Sequence, residues 1–201
     1  MRNLPNILSM SRLIATVIVF ILVLVNQSWA FLVATVIFFF ASITDALDGY
    51  LARRFKTVSS LGVFLDLTAD KVFVTAILIA LVQIGLVPAW IVAIIITREF
   101  LVTGLRSMAS AKGRVIPAGI WGKQKTFVTL LAVGDLLLAK GLGAHQVSLF
   151  PPGLSFSIQT TGSDILFLIA GILMLLATIW TILSGIEYVI SARWLFQDKK
   201  E

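Results

Sequence analysis

Asp45, Asp48, Asp66 and Asp70 stand in one stretch, "TDALDGYLARRFKTVSSLGVFLDLTADK", residues 44 to 71, with long apolar runs on either side. On helices turning about 100° per residue, Asp45 and Asp48 lie about 60° apart and Asp66 and Asp70 about 40° apart, so each pair shares a helix face. The segment between them, "ARRFKTVSSL", is basic and turn-forming. It predicts an antiparallel return that brings the two pairs side by side. Four carboxylates at the edge of a low-dielectric region repel one another and protonate unless a cation joins them. With no cysteine and one histidine in the chain, an oxygen-only donor set suits Mg²⁺ or Mn²⁺ better than zinc. Two such ions about 4 Å apart could neutralise a pyrophosphate and clamp the attacking and leaving oxygens of a displacement at phosphorus. Gly49, Ala52 and Gly62 let helices or a ligand approach the backbone closely.

Two other readings of these acids compete. Aspartates at helix ends also act as solvated caps, and Asp66 or Asp70 alone would be read so; four on two facing helices are not. An ion or proton pathway, as in a small cation transporter, wants acids spread through the membrane depth. Here they gather at one surface beside Arg53, while Asp135 and Glu187, in other spans, read as locally paired or interfacial.

The elements that must position these groups are membrane helices. Of the 201 residues 59% are hydrophobic and 13% charged, against about 25% charged in a soluble domain, and the mean hydropathy is +1.02. These values predict an all-α integral membrane protein in one domain, 1–201. Six spans of about 20 apolar residues are expected near 7–25, 30–51, 61–84, 87–105, 122–139 and 164–190. With the N-terminus inside, all of the 16 lysines and arginines except Lys140 fall on or near the cytoplasmic side, so both termini are expected there. The net charge of +6 then belongs to that face and to anionic lipid head groups, not to nucleic acid. Arg2, Arg12, the run 13–25 and "SWA" at 28–30 also resemble a signal peptide, a reading the five further spans disfavour. The outer stretch 141–163 is long and nearly uncharged, and His145 reads as a loop residue. The absence of cysteine excludes disulfides, thiolate ligands and cysteine nucleophiles.

The pattern D-x2-D-G-x2-A-R-x8-G-x3-D-x3-D is matched by Asp45, Asp48, Gly49, Ala52, Arg53, Gly62, Asp66 and Asp70. It resembles the signature of the CDP-alcohol phosphotransferases, a specific signal because eight positions are fixed. The resemblance implies that family's six-helix membrane fold with its active site on the cytoplasmic side. It also implies transfer of a phosphatidyl group from a CDP-linked lipid to an alcohol, with release of CMP. By position, Asp45, Asp48 and Asp66 resemble the principal ligands of a two-metal centre (Mg²⁺ or Mn²⁺), and Asp70 both a ligand and the base for the acceptor hydroxyl. Asp48, Gly49, Ala52, Arg53 and Gly62 would contact the CDP-lipid. "PNILSMSR" is similar to the family's PNxLTxxR segment, so Asn6 and Arg12 would border the nucleotide pocket, with Ser9 where threonine is usual. Leu67 replaces the proline of DPxADK, and span one lacks the proline often found after the arginine; both bear on helix geometry more than on ligand oxygens. A homodimer in a bacterial inner membrane is the implied setting.

The acceptor is read from a second stretch, "TREFLVTGLRSMASAKGRVIPAGIWGKQKT", residues 97 to 126. Arg98 and Arg106, about 80° apart on one helix, could share a phosphate with Lys123 or Lys125 of the next span; arginine forks match phosphate oxygens. Lys112 and Arg114 read as ordinary cytoplasmic charge. The REF-x4-LR, GKxKT and "TILSGIEY" pieces resemble those of bacterial phosphatidylglycerophosphate synthases, which implies CDP-diacylglycerol and glycerol 3-phosphate as substrates. An inositol-phosphate acceptor is the alternative that the same cluster would serve.

Overall fold

A computed structural model describes residues 4–55, 60–114, 116, 120–144 and 162–196; for 4–8, 45–55, 60–67, 120, 123 and 196 it describes the backbone alone. Every regular element in it is helical: α1 (Leu4–Val25), α2 (Ser28–Phe55), α3 (Ser60–Gln83), α4 (Ala89–Ala111), α5 (Ile120–Gly141) and α6 (Gly162–Ser191), followed by a 3-10 turn at Arg193–Phe196. The shortest helices have 22 residues, about 33 Å of rise, which is a bilayer core in length. Composition separates them. Among the described residues α6 is the one helix long and apolar enough to cross a membrane on both criteria, and Ser9–Val25 and Ser28–Thr44 are shorter apolar stretches. The expected six helices are therefore present.

Two helices run past the expected spans. α2 continues through Arg53 and Arg54 to Phe55, and α4 through Arg106 to Ala111. Arginine and alanine are good helix formers, so a helix need not end where apolarity does. α3 and α4 close on glycines in left-handed conformation, Gly85 (φ 74) and Gly113 (φ 70). Leu86 N–H donates to Leu81 O and Arg114 N–H to Ala109 O, both at 2.9 Å, the six-to-one bond of a Schellman stop.

The helices pack as a closed ring in the order α1, α2, α5, α6, α4, α3 and back to α1. Val23, Phe31, Ile77, Leu81, Ile91, Leu137 and Met174 fill its shared core. α6 is patterned inside out. Ile165, Ile172, Ile179 and Ile186, seven residues apart, face outward, while Ser163, Asp164, Thr178, Thr181 and Ser184 are buried. A soluble helix does the reverse; polar residues turned toward neighbouring helices and isoleucines turned out suit lipid. Four buried threonine hydroxyls are satisfied locally: Thr16, Thr129, Thr178 and Thr181 each donate to the carbonyl four residues back, at 2.6 to 2.8 Å.

Candidate active site

The two aspartate pairs lie where α2 ends and α3 begins. Asp45, Asp48, Gly49, Ala52 and Arg53 occupy the last turns of α2, and Gly62 and Asp66 the first turns of α3; their side chains lie outside what is described, as do those of Asn6 on α1 and Lys123 on α5. α2 and α3 meet through one described aromatic pair: Phe38 and Phe73 stack with ring centroids 5.4 Å apart and planes at 14°. Position 45 is seven residues beyond Phe38, and position 66 seven before Phe73. Each is about 10 Å along its own helix from the ring pair and within about 20° of the face that carries the ring. Arg12, assigned to the nucleotide pocket, is buried on α1.

Asp70, one turn further along α3, has an exposed, described side chain. It lines a cavity of about 40 Å³ with Lys71, Val74 and Thr75 of its own helix, Ile95 and Glu99 of α4, and Lys125, Thr126 and Thr129 of α5. The acidic motif and the basic stretch thus meet in one small space across the ring. Lys125 keeps only 7% of its side chain exposed and is met by the Glu99 carboxylate, Nζ donating to Oε1. The same Oε1 accepts from Arg98 Nη1 at 2.9 Å. One carboxylate therefore holds a guanidinium and an ammonium, offsetting the cost of desolvating both cations. Lys71 Nζ donates to Thr103 Oγ1 at 2.8 Å, and that hydroxyl donates to Glu99 O at 2.7 Å, tying α3 to the same turn of α4.

Arg98 sits in a slot formed by α5 and α6. Its Nη2 donates to Ser184 Oγ, and its guanidinium lies 5.5 Å from the centroid of the Tyr188 ring. A Cβ on Gly185 would come within 3.3 Å of Arg98 Cγ, and one on Gly122 within 3.6 Å of Nη2, so small residues make the room. Arg106, two turns along α4 and exposed, reaches the same ring at 5.8 Å. Arg98 and Arg106 thus both contact one residue of α6.

Lys112 and Arg114 have structural ties instead. Lys112 Nζ donates to Leu195 O at 3.2 Å, and the Arg114 guanidinium lies 4.8 Å over the Trp194 ring. Both secure the 3-10 turn to the end of α4. Sequence reasoning missed Glu99 as the shared acceptor, and Ser184 and Tyr188 as the seat of Arg98. The adjacent "RE" of "TREF" and the i, i+4 spacing of Ser184 and Tyr188 in "TILSGIEY" were the available signals.

Residues 2–192 match the model of a family described as CDP-alcohol phosphatidyltransferase. The chain is 37% identical over 206 residues to the Bacillus subtilis (strain 168) CDP-diacylglycerol–glycerol-3-phosphate 3-phosphatidyltransferase, covering 96% of each protein. It is 31% identical over 198 residues to the protein of that name from Rickettsia typhi, covering 98% of this chain and 100% of that one. A probable phosphatidylglycerophosphate synthase of Mycobacterium tuberculosis is 37% identical over 194 residues, covering 94% of this chain and 81% of the relative.

Proposed function

The chain belongs to the CDP-alcohol phosphatidyltransferase family, and from that premise we propose that it transfers the phosphatidyl group of CDP-diacylglycerol to glycerol 3-phosphate, releasing CMP. The relatives' names support the reaction. The observation that carries the reading on this chain is the cavity shared by Asp70 and Lys125: a carboxylate able to take a proton beside a cation able to hold a phosphate.

Asp45, Asp48, Asp66 and Asp70 would hold two divalent ions, Mg²⁺ or Mn²⁺. The all-carboxylate donor set, on two helices that meet at Phe38 and Phe73, fits such ions. Bound there, they would neutralise the pyrophosphate and the charge that develops on it. The chain's own groups do the rest. Asp70 accepts the proton of the glycerol 3-phosphate 1-hydroxyl as its oxygen attacks the lipid-bearing β-phosphorus. The bond from that phosphorus to the CMP oxygen breaks, and CMP leaves with the electron pair. Asp48, Gly49, Ala52, Arg53 and Gly62, with Asn6 and Arg12, surround the CDP portion. Arg98, Arg106, Lys123 and Lys125 take the acceptor's phosphate, supplying binding energy away from the reacting centre.

The inside-out patterning of α6 and the outward Ile14, Val17, Ile21, Phe39, Phe40 and Phe127 support a chain that crosses the bilayer six times with both termini in the cytoplasm. CDP-diacylglycerol then enters sideways from the inner leaflet and glycerol 3-phosphate from solution. The chain acts as a single domain, and as a homodimer.

The test is CMP release by the purified protein in detergent with CDP-diacylglycerol and Mg²⁺ or Mn²⁺, offering glycerol 3-phosphate, inositol phosphate, inositol and serine separately. Release with glycerol 3-phosphate alone is expected. Release with another acceptor alone overturns the acceptor assignment, and no release with any overturns the reaction.

A further inference from the structure

The Tyr188 ring carries two guanidiniums from one helix, Arg98 at 5.5 Å and Arg106 at 5.8 Å from its centroid. Eight residues separate these arginines, about 12 Å along α4, too far for side chains projecting straight outward to close on one phosphate. Both guanidiniums nonetheless reach one ring, 5.5 and 5.8 Å from its centroid, so a single residue sets where the two stand relative to each other. We propose that Tyr188 is a positioning residue for the acceptor: its ring gathers Arg98 and Arg106 into one pair matched to a dianionic phosphate monoester. This rests on the reading of the preceding section, and it adds a residue that touches neither substrate.

Three features argue for the ring as a built platform. Tyr188 is only 4% exposed and lies in a second apolar cluster with Val102, Leu105 and Ala109 of α4 and with Ala192 and Leu195, so it cannot swing away from the arginines. Its neighbours on α6 are cut to fit Arg98: Ser184, one turn back, accepts from Nη2, and Gly185 leaves the space its aliphatic stem fills. The negative face of an aromatic ring attracts guanidinium without supplying a competing acceptor; Arg98 gives one N–H each to Glu99 and Ser184, and its other N–H donors, with those of Arg106, stay available to phosphate oxygens.

The experiment is steady-state CMP release by the full-length protein in mixed micelles, varying glycerol 3-phosphate and CDP-diacylglycerol in turn, for wild type and for Tyr188→Phe, Tyr188→Leu and Tyr188→Met. Whichever of the Leu and Met variants keeps the wild-type melting temperature carries the comparison, methionine filling irregular gaps that leucine does not. Loss of the ring is expected to raise KM for glycerol 3-phosphate about tenfold, the scale of two weak cation–π contacts. The KM for CDP-diacylglycerol and kcat at saturating acceptor stay near wild type, and Tyr188→Phe restores KM. An unmoved acceptor KM in the ringless variants, a fall confined to kcat, or Tyr188→Phe behaving like Tyr188→Leu overturns the proposal. Failure of the wild type to release CMP with glycerol 3-phosphate would instead overturn the underlying reaction.

Discussion

Asp70 of α3 and Lys125 of α5, more than fifty residues apart in the chain, line the same cavity of about 40 Å³, although one belongs to the acidic motif and the other to the basic stretch. If Asp70 takes the acceptor's proton, the isosteric amide of Asp70→Asn cannot. Its helix is held by Phe73 and Ile77 in the core, and asparagine keeps the shape of the side chain, so the variant should stay folded while kcat falls about 10²- to 10⁴-fold. Wild-type turnover in Asp70→Asn would remove Asp70 from the role of base.

Glu99 is the acceptor for both Arg98 and Lys125, whose side chains are 11% and 7% exposed. Glu99→Gln keeps the shape but takes from two nearly buried cations the carboxylate that bonds both. Breaking a fully buried pair costs about 3–5 kcal/mol; Glu99 is 25% exposed, so solvent screening reduces the expected loss to about 2 kcal/mol. Thermal melting in detergent checks this, and adding Lys125→Met should recover part of the loss by removing one stranded charge. Equal melting temperatures for wild type and Glu99→Gln would show that the triad adds nothing to stability.

Much of this was legible in the sequence because of how each signal arises. Six long apolar runs predict six helices, and fixed spacing on a helix predicts shared faces, as for Arg98 and Arg106. What one helix cannot report is its neighbour. Nothing in residues 97–126 says that the two arginines converge on Tyr188, some eighty residues later, or that Lys125 meets Glu99 across the ring of helices. Helix ends were misplaced at Phe55 and Ala111 for a simpler reason: polarity marks where a membrane ends, while hydrogen bonding and local propensity decide where a helix ends.

Arg106 is exposed at the outer edge of the pair, so its loss removes donors without leaving a hole. Arg106→Ala is expected to raise KM for glycerol 3-phosphate by about tenfold or more, the worth of a charge-assisted hydrogen bond, with KM for CDP-diacylglycerol unchanged. A selective rise in the CDP-diacylglycerol constant would place Arg106 at the donor instead.

Gly185→Ala tests the slot itself. Alanine gains about 1 kcal/mol of helix propensity over glycine, but its Cβ would stand 3.3 Å from Arg98 Cγ, so the stem must shift by a few tenths of an ångström. Melting temperature is expected to change little while the acceptor KM rises several-fold. A stabilised variant with an unchanged KM would mean that Arg98 has slack in its seat.

Chelation separates chemistry from fold. The core that joins the helices is apolar, with Phe38 on Phe73 and Phe31, Ile77, Leu81 and Leu137 packed around them. Asp70, the one of the four aspartates whose side chain is described, is exposed. Removing divalent ions with EDTA is therefore expected to abolish CMP release while leaving helix content, read by circular dichroism, intact. Mg²⁺ or Mn²⁺ should restore activity, as hard cations suited to oxygen donors. Activity that survives exhaustive chelation would count against the two-metal centre.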